Sequence, residues 1–354
     1  MGSSEALVRD LMLLSKDGEW GEAEPADHHV AMAVIRGTDF DAVRSGDLSG
    51  LPTRYIPEPR AARKRLQPGD VLIETAGGTK GRPTGRTIFL RPDLVAACSL
   101  PITCASFSRF LRVDPQLAEP EYIFWYLQYL YGCGEIELYQ VQHTGISRFQ
   151  YTSFAESTFI PLLSREIQRV ISHSLGLLDR RVELNHRTSR TLGALSRAIF
   201  KSWFVDFDPV CKKMEGKSDN ELGLPPSHAA AFPPRMTSTL GIEHPEGWDC
   251  VELGDLVSER TQRVGSSPDA VVLSAVSSGQ LVRSDNHFNK RVYSKDLSKY
   301  KTVLRHDLAY NPSRINIGSI GMLHEDVLGA VSPVYVVFTP RQGYADFVDF
   351  LMRE

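Results

Sequence analysis

The sequence predicts an α+β protein: two related, mostly β domains joined by one long helix of coiled-coil type. Three observations carry this. Two distant stretches repeat the same order of short apolar runs and Gly-punctuated basic turns. Between them, residues 164–207 contain no Pro and only two Gly, and keep heptad-like apolar spacing. A Pro-rich stretch then leads into the second β-rich part.

The repeat comes first. A chain of 354 residues can hold two or three domains with cores of their own. "RLQPGDVLIE" (65–74) is matched by "VLRHDLAYN" (303–311): a Leu, a short turn, then an Asp leading an apolar strand. Each is followed by a basic turn with glycines, "GGTKGRPTGR" in one and "NPSRINIGSIG" in the other. Downstream, "ACSLPITCASF" (97–107) pairs with "AVSPVYVVFTP" (330–340), and "EYIFWYL" (121–127) with "DFVDFLM" (346–352). Upstream, "AVIRGTDF" parallels "VLSAVSSGQL". Short runs of Val, Ile, Tyr and Phe between Gly/Pro turns read as strands. Each unit is mostly β with a helix near its end.

The stretch "AGGTKGRPTGRT" (76–87) is composed like a phosphate-holding loop. It is not a P-loop. Gly81 and Gly85 are one residue too close, Arg86 stands where Lys is required, and the apolar run that follows reads as a strand. Without a helix N-terminus there is nothing to meet a nucleotide phosphate. Charge distribution offers another ligand. Between Leu51 and Pro92 lie nine basic residues against three acids, and between Arg283 and Arg314 eight against three. The whole chain carries a net charge of only −3, so two basic islands sit in an otherwise acidic protein. That is the electrostatic footprint a DNA backbone selects.

The helix between the units begins at Ser164, a side chain suited to an N-cap, with Glu166 in the first turn. Ile171, Leu175, Leu178 and Val182 alternate at spacings of four and three, and Leu192, Ile199 and Trp203 continue the frame. Asn185, Ser189 and Ser196 are polar positions on that seam. A rod of roughly 65 Å follows from 1.5 Å per residue. It ends in "IFKSWFVDFDPV", where Phe200, Trp203, Phe204 and Phe207 form a wide aromatic stripe. Asp208-Pro209 is expected to stop the helix, because a residue before Pro avoids the helical region. The expected organisation is a first domain at 1–163, a spacer helix at 164–208, a linker at 209–246 and a second domain at 247–354.

"LLDRRVELNHRTSRTLGALSRAIF", "AIFKSWFVDFDPV" and "PEGWDCVELGDL" together resemble the specificity (S) subunit of type I restriction–modification systems. "HTGISRFQYTSFAESTFIPLL" (143–163) is similar to the end of that family's first target-recognition domain, and "GAVSPVYVVF" to its second. The resemblance implies a non-catalytic, cytoplasmic subunit with two target-recognition domains, each reading half of a split double-stranded DNA site. It also implies modification (methyltransferase) subunits docked on the long helices and restriction/motor subunits joining them. S-adenosylmethionine, ATP and Mg²⁺ would reside on those partners, with no cofactor or metal here. The family's second domain is followed by a closing segment and a second long helix, whereas this sequence stops at Glu354. The second recognition domain is therefore expected to be incomplete and the second spacer helix missing.

On this reading Lys80, Arg82 and Arg86 meet DNA in the first unit, with Arg54, Arg63 and Lys64 nearby. In the second unit Arg314 and Asn316 occupy the equivalent turn, with Lys290 and Arg291 beside it. Arg suits guanine and Asn adenine. The subunit interface falls on Ile171, Leu175, Leu178, Val182, Leu192, Ile199, Phe200, Trp203 and Phe204. Two other classes compete: a stand-alone DNA methyltransferase or nuclease, and an interaction scaffold with no DNA role. The enzyme would need a cofactor loop or an acid cluster. "YNPSR" (310–314) lacks the second Pro and the aromatic of the amino-methyltransferase signature. His28-His29 has no spaced third ligand, and Asp206 and Asp208 read as an acidic helix end. The five cysteines show no C-x-x-C spacing, and no apolar run reaches membrane-spanning length.

Overall fold

The structure, a computed structural model, describes residues 4–77, 83–143, 146–265, 267, 269–276, 279–287 and 293–353. The chain is α+β and divides into two compact units, Met1–Arg190 and Thr191–Glu354. The division falls within one helix of 40 residues.

The first unit begins with strands β1 (Ser4–Leu7), β2 (Met12–Asp17) and β3 (His29–Ile35), then helix α1 (Phe40–Arg44). Strand β4 (Thr53–Pro57), helix α2 (Glu58–Lys64), and strands β5 (Val71–Glu74) and β6 (Thr87–Phe89) follow. After helix α3 (Pro92–Ala97) come β7 (Ile102–Cys104), β8 (Ser108–Val113) and helix α4 (Pro120–Gly132). The hairpin β9 (Gln140–His143) and β10 (Ile146–Phe149), helix α5 (Tyr151–Ser157) and β11 (Phe159–Leu162) complete it. The strands form a four-stranded sheet in the order β2-β8-β5-β6 and a three-stranded sheet in the order β4-β3-β7. β5 is buried at every position, as its uninterrupted "VLIE" requires of a central strand. Because side chains alternate across a strand, Val71, Ile73, Leu111 and Val113 enter one core and Leu72 and Phe110 another. α4 closes the first core with Tyr122, Ile123, Phe124 and Leu127.

α6 (Arg165–Phe204) is about 60 Å long at 1.5 Å per residue. The Ile167 amide donates to the Ser164 hydroxyl at 3.4 Å, the cap expected of that residue. The expected stop at Asp208-Pro209 is corrected. α6 ends at Phe204, Phe207 takes a left-handed conformation (φ 53°), and Asp208 starts a further helix, α7 (Asp208–Met214). Proline is tolerated in the first turn of a helix, so Asp-Pro opens α7 instead of ending α6. The acids there have structural partners: Lys201 donates to Asp206 at 2.6 Å and Ser202 to Asp208 at 2.7 Å. The Pro-rich stretch also carries its own structure: α8 (Pro226–Ala229) and a hairpin of β12 (Met236–Thr239) and β13 (Ile242–Pro245). Lys213 pins it by donating to the carbonyls of Ala229 and Phe232 at 2.8 and 2.7 Å.

The rest of the second unit starts with helix α9 (Leu253–Leu256) and strands β14 (Val257–Glu259), β15 (Val271–Val276) and β16 (Gln280–Arg283). Helix α10 (Ser284–His287) leads on to β17 (Lys301–Val303), β18 (Leu308–Tyr310) and β19 (Ile320–Met322). β20 (Gly329–Val331), β21 (Val336–Pro340) and helix α11 (Ala345–Leu351) follow. Its sheet runs β14-β21-β18-β19-β16-β15-β20-β17. Within it, β14-β21-β18-β19 repeats the order of β2-β8-β5-β6, antiparallel throughout. Likewise β16-β15-β20 repeats β4-β3-β7, with one antiparallel and one parallel pairing each.

The shared Asp has the same task twice. Asp70 accepts from the Gln67 amide at 2.7 Å and from two nitrogens of Arg112 at 2.8 Å. Asp307 accepts from the Leu304 amide at 2.7 Å and from Arg260 at 2.6 and 3.2 Å. One expected pairing is shifted: the topology sets Ile102–Cys104 against Gly329–Val331, a few residues from where composition aligned them.

Candidate nucleic-acid interface

The Gly-rich stretch is the connection between β5 and β6, and its base is tightly made. The Glu74 amide donates to the Arg86 carbonyl at 2.9 Å and the Gly85 amide to the Glu74 carbonyl at 3.0 Å. Arg86 was expected at DNA, yet its guanidinium points inward. It holds both carboxylate oxygens of the buried Glu74 (2.9 and 2.7 Å), donates to the Gly37 carbonyl at 2.7 Å, and lies over the Phe40 ring. The second unit ties down the same place with a smaller residue. There Asn311 donates its amide to the Ser319 carbonyl, and the buried Ser319 hydroxyl donates to the Ala275 carbonyl, both at 3.0 Å.

The β9–β10 hairpin props the loop from the other side. Gln140 accepts from the Thr84 amide at 2.8 Å and its hydroxyl at 3.1 Å. The Gly77 amide donates to Ser147 and the Phe149 amide to Thr75, while Ala76 bridges Arg148. Tyr131 donates its hydroxyl to Pro83 at 3.1 Å. Gly85 is required here: its φ is +95°, and a Cβ would lie 2.3 Å from Ile136. Gly85→Ala is expected to cost about 1–3 kcal/mol from backbone strain alone, with crowding of Ile136 added. A thermal melt unchanged by the substitution would show that the loop base is not rigid.

Sequence reasoning missed Arg148. It is exposed on β10 between the buried Ser147 and Phe149, beside the base of the loop. The signal was available, since a basic residue alternating with inward-facing neighbours on a strand must face outward.

The other basic candidates divide. Lys80, Arg82, Lys290 and Arg291 lie outside the described residues. Arg54 stacks over the Trp20 ring at 4.1 Å, and Lys64 donates to Glu19 and to the Gly18 carbonyl, both at 2.9 Å. Arg60 also reaches Glu19, at 3.7 Å, and Arg91 pairs with Glu183 at 2.8 Å. Much of the first island's charge is thus met by acids distant in sequence. Arg63 is exposed and donates to the Pro59 carbonyl of its own helix. In the second unit Arg283 and Lys301 pair with Glu325 and Glu259. Lys295, Lys299, Arg305 and Arg314 are exposed with no ion pair among the described residues. Arg314 and Asn316 stand exposed in the β18–β19 turn, which Asn311 caps by accepting from the Ser313 amide at 3.0 Å.

α6 shows two kinds of apolar surface. Ile171 packs into the first unit's core and Leu175 is half-buried. Phe200 is buried, and Trp203 and Phe204 are half-buried, in an aromatic cluster with Phe232, Trp248 and Phe347. By contrast Leu178 (64 %), Val182 (52 %), Leu192 (56 %) and Ile199 (38 %) are exposed, as are Ile167, Val170, Leu177, Leu184 and Leu195. Among the described residues no three His, Cys, Asp or Glu side chains group to hold a metal, and no helix is long and apolar enough to cross a membrane.

No family model matches the chain. Over 233 residues it is 27 % identical to the type I restriction enzyme HindI specificity subunit of Haemophilus influenzae, covering 60 % of this chain and 47 % of that protein. It is 28 % identical over 134 residues to the MjaIX specificity subunit of Methanocaldococcus jannaschii, covering 37 % and 27 %. Both matches make the chain similar to the type I restriction enzyme specificity subunits. The matched stretches span about half, and about a quarter, of those relatives' lengths. Among solved structures, the chain is similar to the S subunit from M. genitalium, at 12 % identity and TM-score 0.45, covering 99 % and 76 % of the two chains. It also aligns with the HsdS subunit from Thermoanaerobacter tengcongensis, at 15 % identity and TM-score 0.36, covering 99 % and 81 %. At such scores the structural likenesses carry no weight beside the sequence relatives and the fold itself.

Proposed function

We propose that the chain reads DNA, each unit contacting one half of a bipartite site, and performs no chemistry itself. The observation that supports this most is the repeated topology, which gives each unit an equivalent connection between two paired antiparallel strands, β5–β6 and β18–β19: residues 75–86 and 311–319. Two equivalent turns on a repeated scaffold are what a two-part target demands. In this reading Arg148, Lys80 and Arg82 serve the first turn, and Arg314 and Asn316 the second. The exposed residues of α6 receive the modification subunits, with the restriction subunits joining the assembly. S-adenosylmethionine, ATP and Mg²⁺ belong to those partners. The domain limits 1–163 and 247–354 are proposed as the two target-recognition domains.

Selection of randomised duplexes by the assembled subunit tests the reading. The enriched sequences are expected to hold two specified blocks around an unspecified spacer of constant length. Arg314→Ala should relax one position in one block, at about 1–3 kcal/mol, and leave the other block intact. A single contiguous consensus, or relaxation spread over both blocks, would remove the two-turn assignment. Docking is tested separately. Leu178→Asp and Val182→Asp alter exposed positions, so the fold should persist while co-purification with a modification subunit is lost. Retained co-purification would move the docking surface off this face.

A further inference from the structure

Two turns at equivalent places in the repeat carry an exposed apolar side chain at the same position. Asp70 and Asp307 hold their turns alike, so Val71 corresponds to Leu308. Val71 faces Leu111 and Leu308 faces Phe338, which sets β8 on β21. Counted back from there, Phe107 in the β7–β8 turn corresponds to Val334 in the β20–β21 turn. The two turns are closed by the same bond: the Ser108 amide donates to the Ala105 carbonyl and the Tyr335 amide to the Ser332 carbonyl, both at 2.9 Å. Position by position, residues 104–108 and 331–335 share one burial pattern, with the two central residues of each turn exposed. Phe107 is 57 % exposed and Val334 61 %, so neither side chain serves a core. Turn tips ordinarily take Gly, Asn, Asp or Ser. One exposed apolar side chain is unremarkable on any surface. Two of them at one place in a diverged repeat point to a shared ligand.

Both turns are fastened to the connections assigned to DNA. The Phe107 carbonyl accepts from the Thr75 and Ala76 amides at 2.8 and 3.2 Å, and Ala76 also bridges the exposed Arg148. In the second unit the Ala275 amide donates to the Tyr335 hydroxyl at 3.3 Å. The Ala275 carbonyl in turn accepts from Ser319, at the end of the connection that carries Arg314. We propose that Phe107 and Val334 are specificity-determining residues, each packing on the C5-methyl of a thymine in its own half of the bipartite site. These contacts presuppose the DNA reading above and deepen it. Of the groups that base pairs present in the major groove, that methyl is the apolar one. Phe and Val share neither size nor a hydrogen-bonding group, so the feature both can recognise is apolar. Val is too short for the wedge that kinks a duplex, a role taken by Phe, Leu, Ile, Met or Pro. A methyl contact suits both side chains. The bonds to Thr75, Ala76 and Ala275 hold each turn in place before DNA arrives.

The test starts from the duplex recovered by selection with the assembled subunit. Each thymine in it is replaced in turn by deoxyuridine, which removes the C5-methyl and keeps the base pairing. One replacement in each block is expected to weaken binding about fourfold, the worth of one buried methyl. Phe107→Ala should abolish that sensitivity in one block and leave it in the other, and Val334→Ala should do the converse. Phe107→Leu should keep it. Both Ala variants should retain their thermal midpoints, because the side chains are exposed. A residue that only shapes the turn would not couple to a single methyl. Blocks without thymine, or a methyl effect equal in the unaltered chain and the Ala variants, would overturn the proposal. So would a DNA bend lost in Phe107→Ala with no methyl dependence, since Phe107 would then be a wedge. Failure of the DNA reading itself shows earlier and differently: the selection yields no pair of blocks, and the methyl contacts fall with it.

Discussion

Asp307→Ala is expected to destabilise the second unit's β core sharply while leaving the first unit's stability unchanged. Asp307 is fully buried and serves four donors: two nitrogens of Arg260, the Leu304 amide and the Thr339 hydroxyl, which donates at 2.6 Å. Removing one partner of a buried charged pair costs about 3–5 kcal/mol. The arginine is about one-fifth exposed, which places the effect toward the lower end because water can reach part of the released charge. Even so, that is a large share of the 5–15 kcal/mol that holds an ordinary domain together. Hydrogen exchange read by mass spectrometry separates the units. Protection should fall in β18, β19 and β21 and persist in β5 and β8. Asp70→Ala should do the reverse, because Asp70 fills the same place against Arg112. Equal loss in both units from either substitution would mean that they do not unfold independently.

These two aspartates also explain why the fold was legible. An Asp that closes a turn and leads an apolar strand is a local arrangement, so it survives as a local pattern in both copies. The heptad spacing of α6 and its Ser164 cap are local in the same way. What failed was non-local. "ACSLPITCASF" was aligned by composition, but strand position is set by the neighbours with which Ile102–Cys104 and Gly329–Val331 pair. The end of α6 was misplaced because Asp-Pro both ends and begins helices, and the packing of Phe204 against Phe232 and Trp248 decides which. Counting charge in a window had the same defect. Arg60 and Lys64 meet Glu19, and Arg91 meets Glu183, pairs that a window from Leu51 to Pro92 does not contain. The outward face of Arg148 is legible in the strand's alternation, but its relation to the loop exists only once β10 lies beside Ala76.

Arg86 is where the two kinds of evidence pull apart, and its substitution separates them. As a phosphate contact, its loss should leave the fold intact and reduce the salt dependence of DNA binding by about 0.9 in slope. As the clamp at the loop base, its loss strands the buried Glu74 carboxylate, at about 3–5 kcal/mol. The geometry favours the clamp: two bonds to Glu74, one to the Gly37 carbonyl and 14 % side-chain exposure. Arg86→Ala is therefore expected to melt the first unit's loop and lower its thermal midpoint. Replacing both partners, Arg86→Met with Glu74→Met, removes the buried charges together and should recover most of that stability, because apolar pairs of similar volume commonly replace buried ion pairs without loss. In this double variant the salt slope of DNA binding should match that of the unaltered chain. Arg148→Ala should behave oppositely, keeping the thermal midpoint while flattening the slope or relaxing one base position, since its side chain is exposed and outside the core. A stable double variant whose slope falls by about 0.9 would return Arg86 to the DNA surface, and Glu74 would then be the residue that aims it.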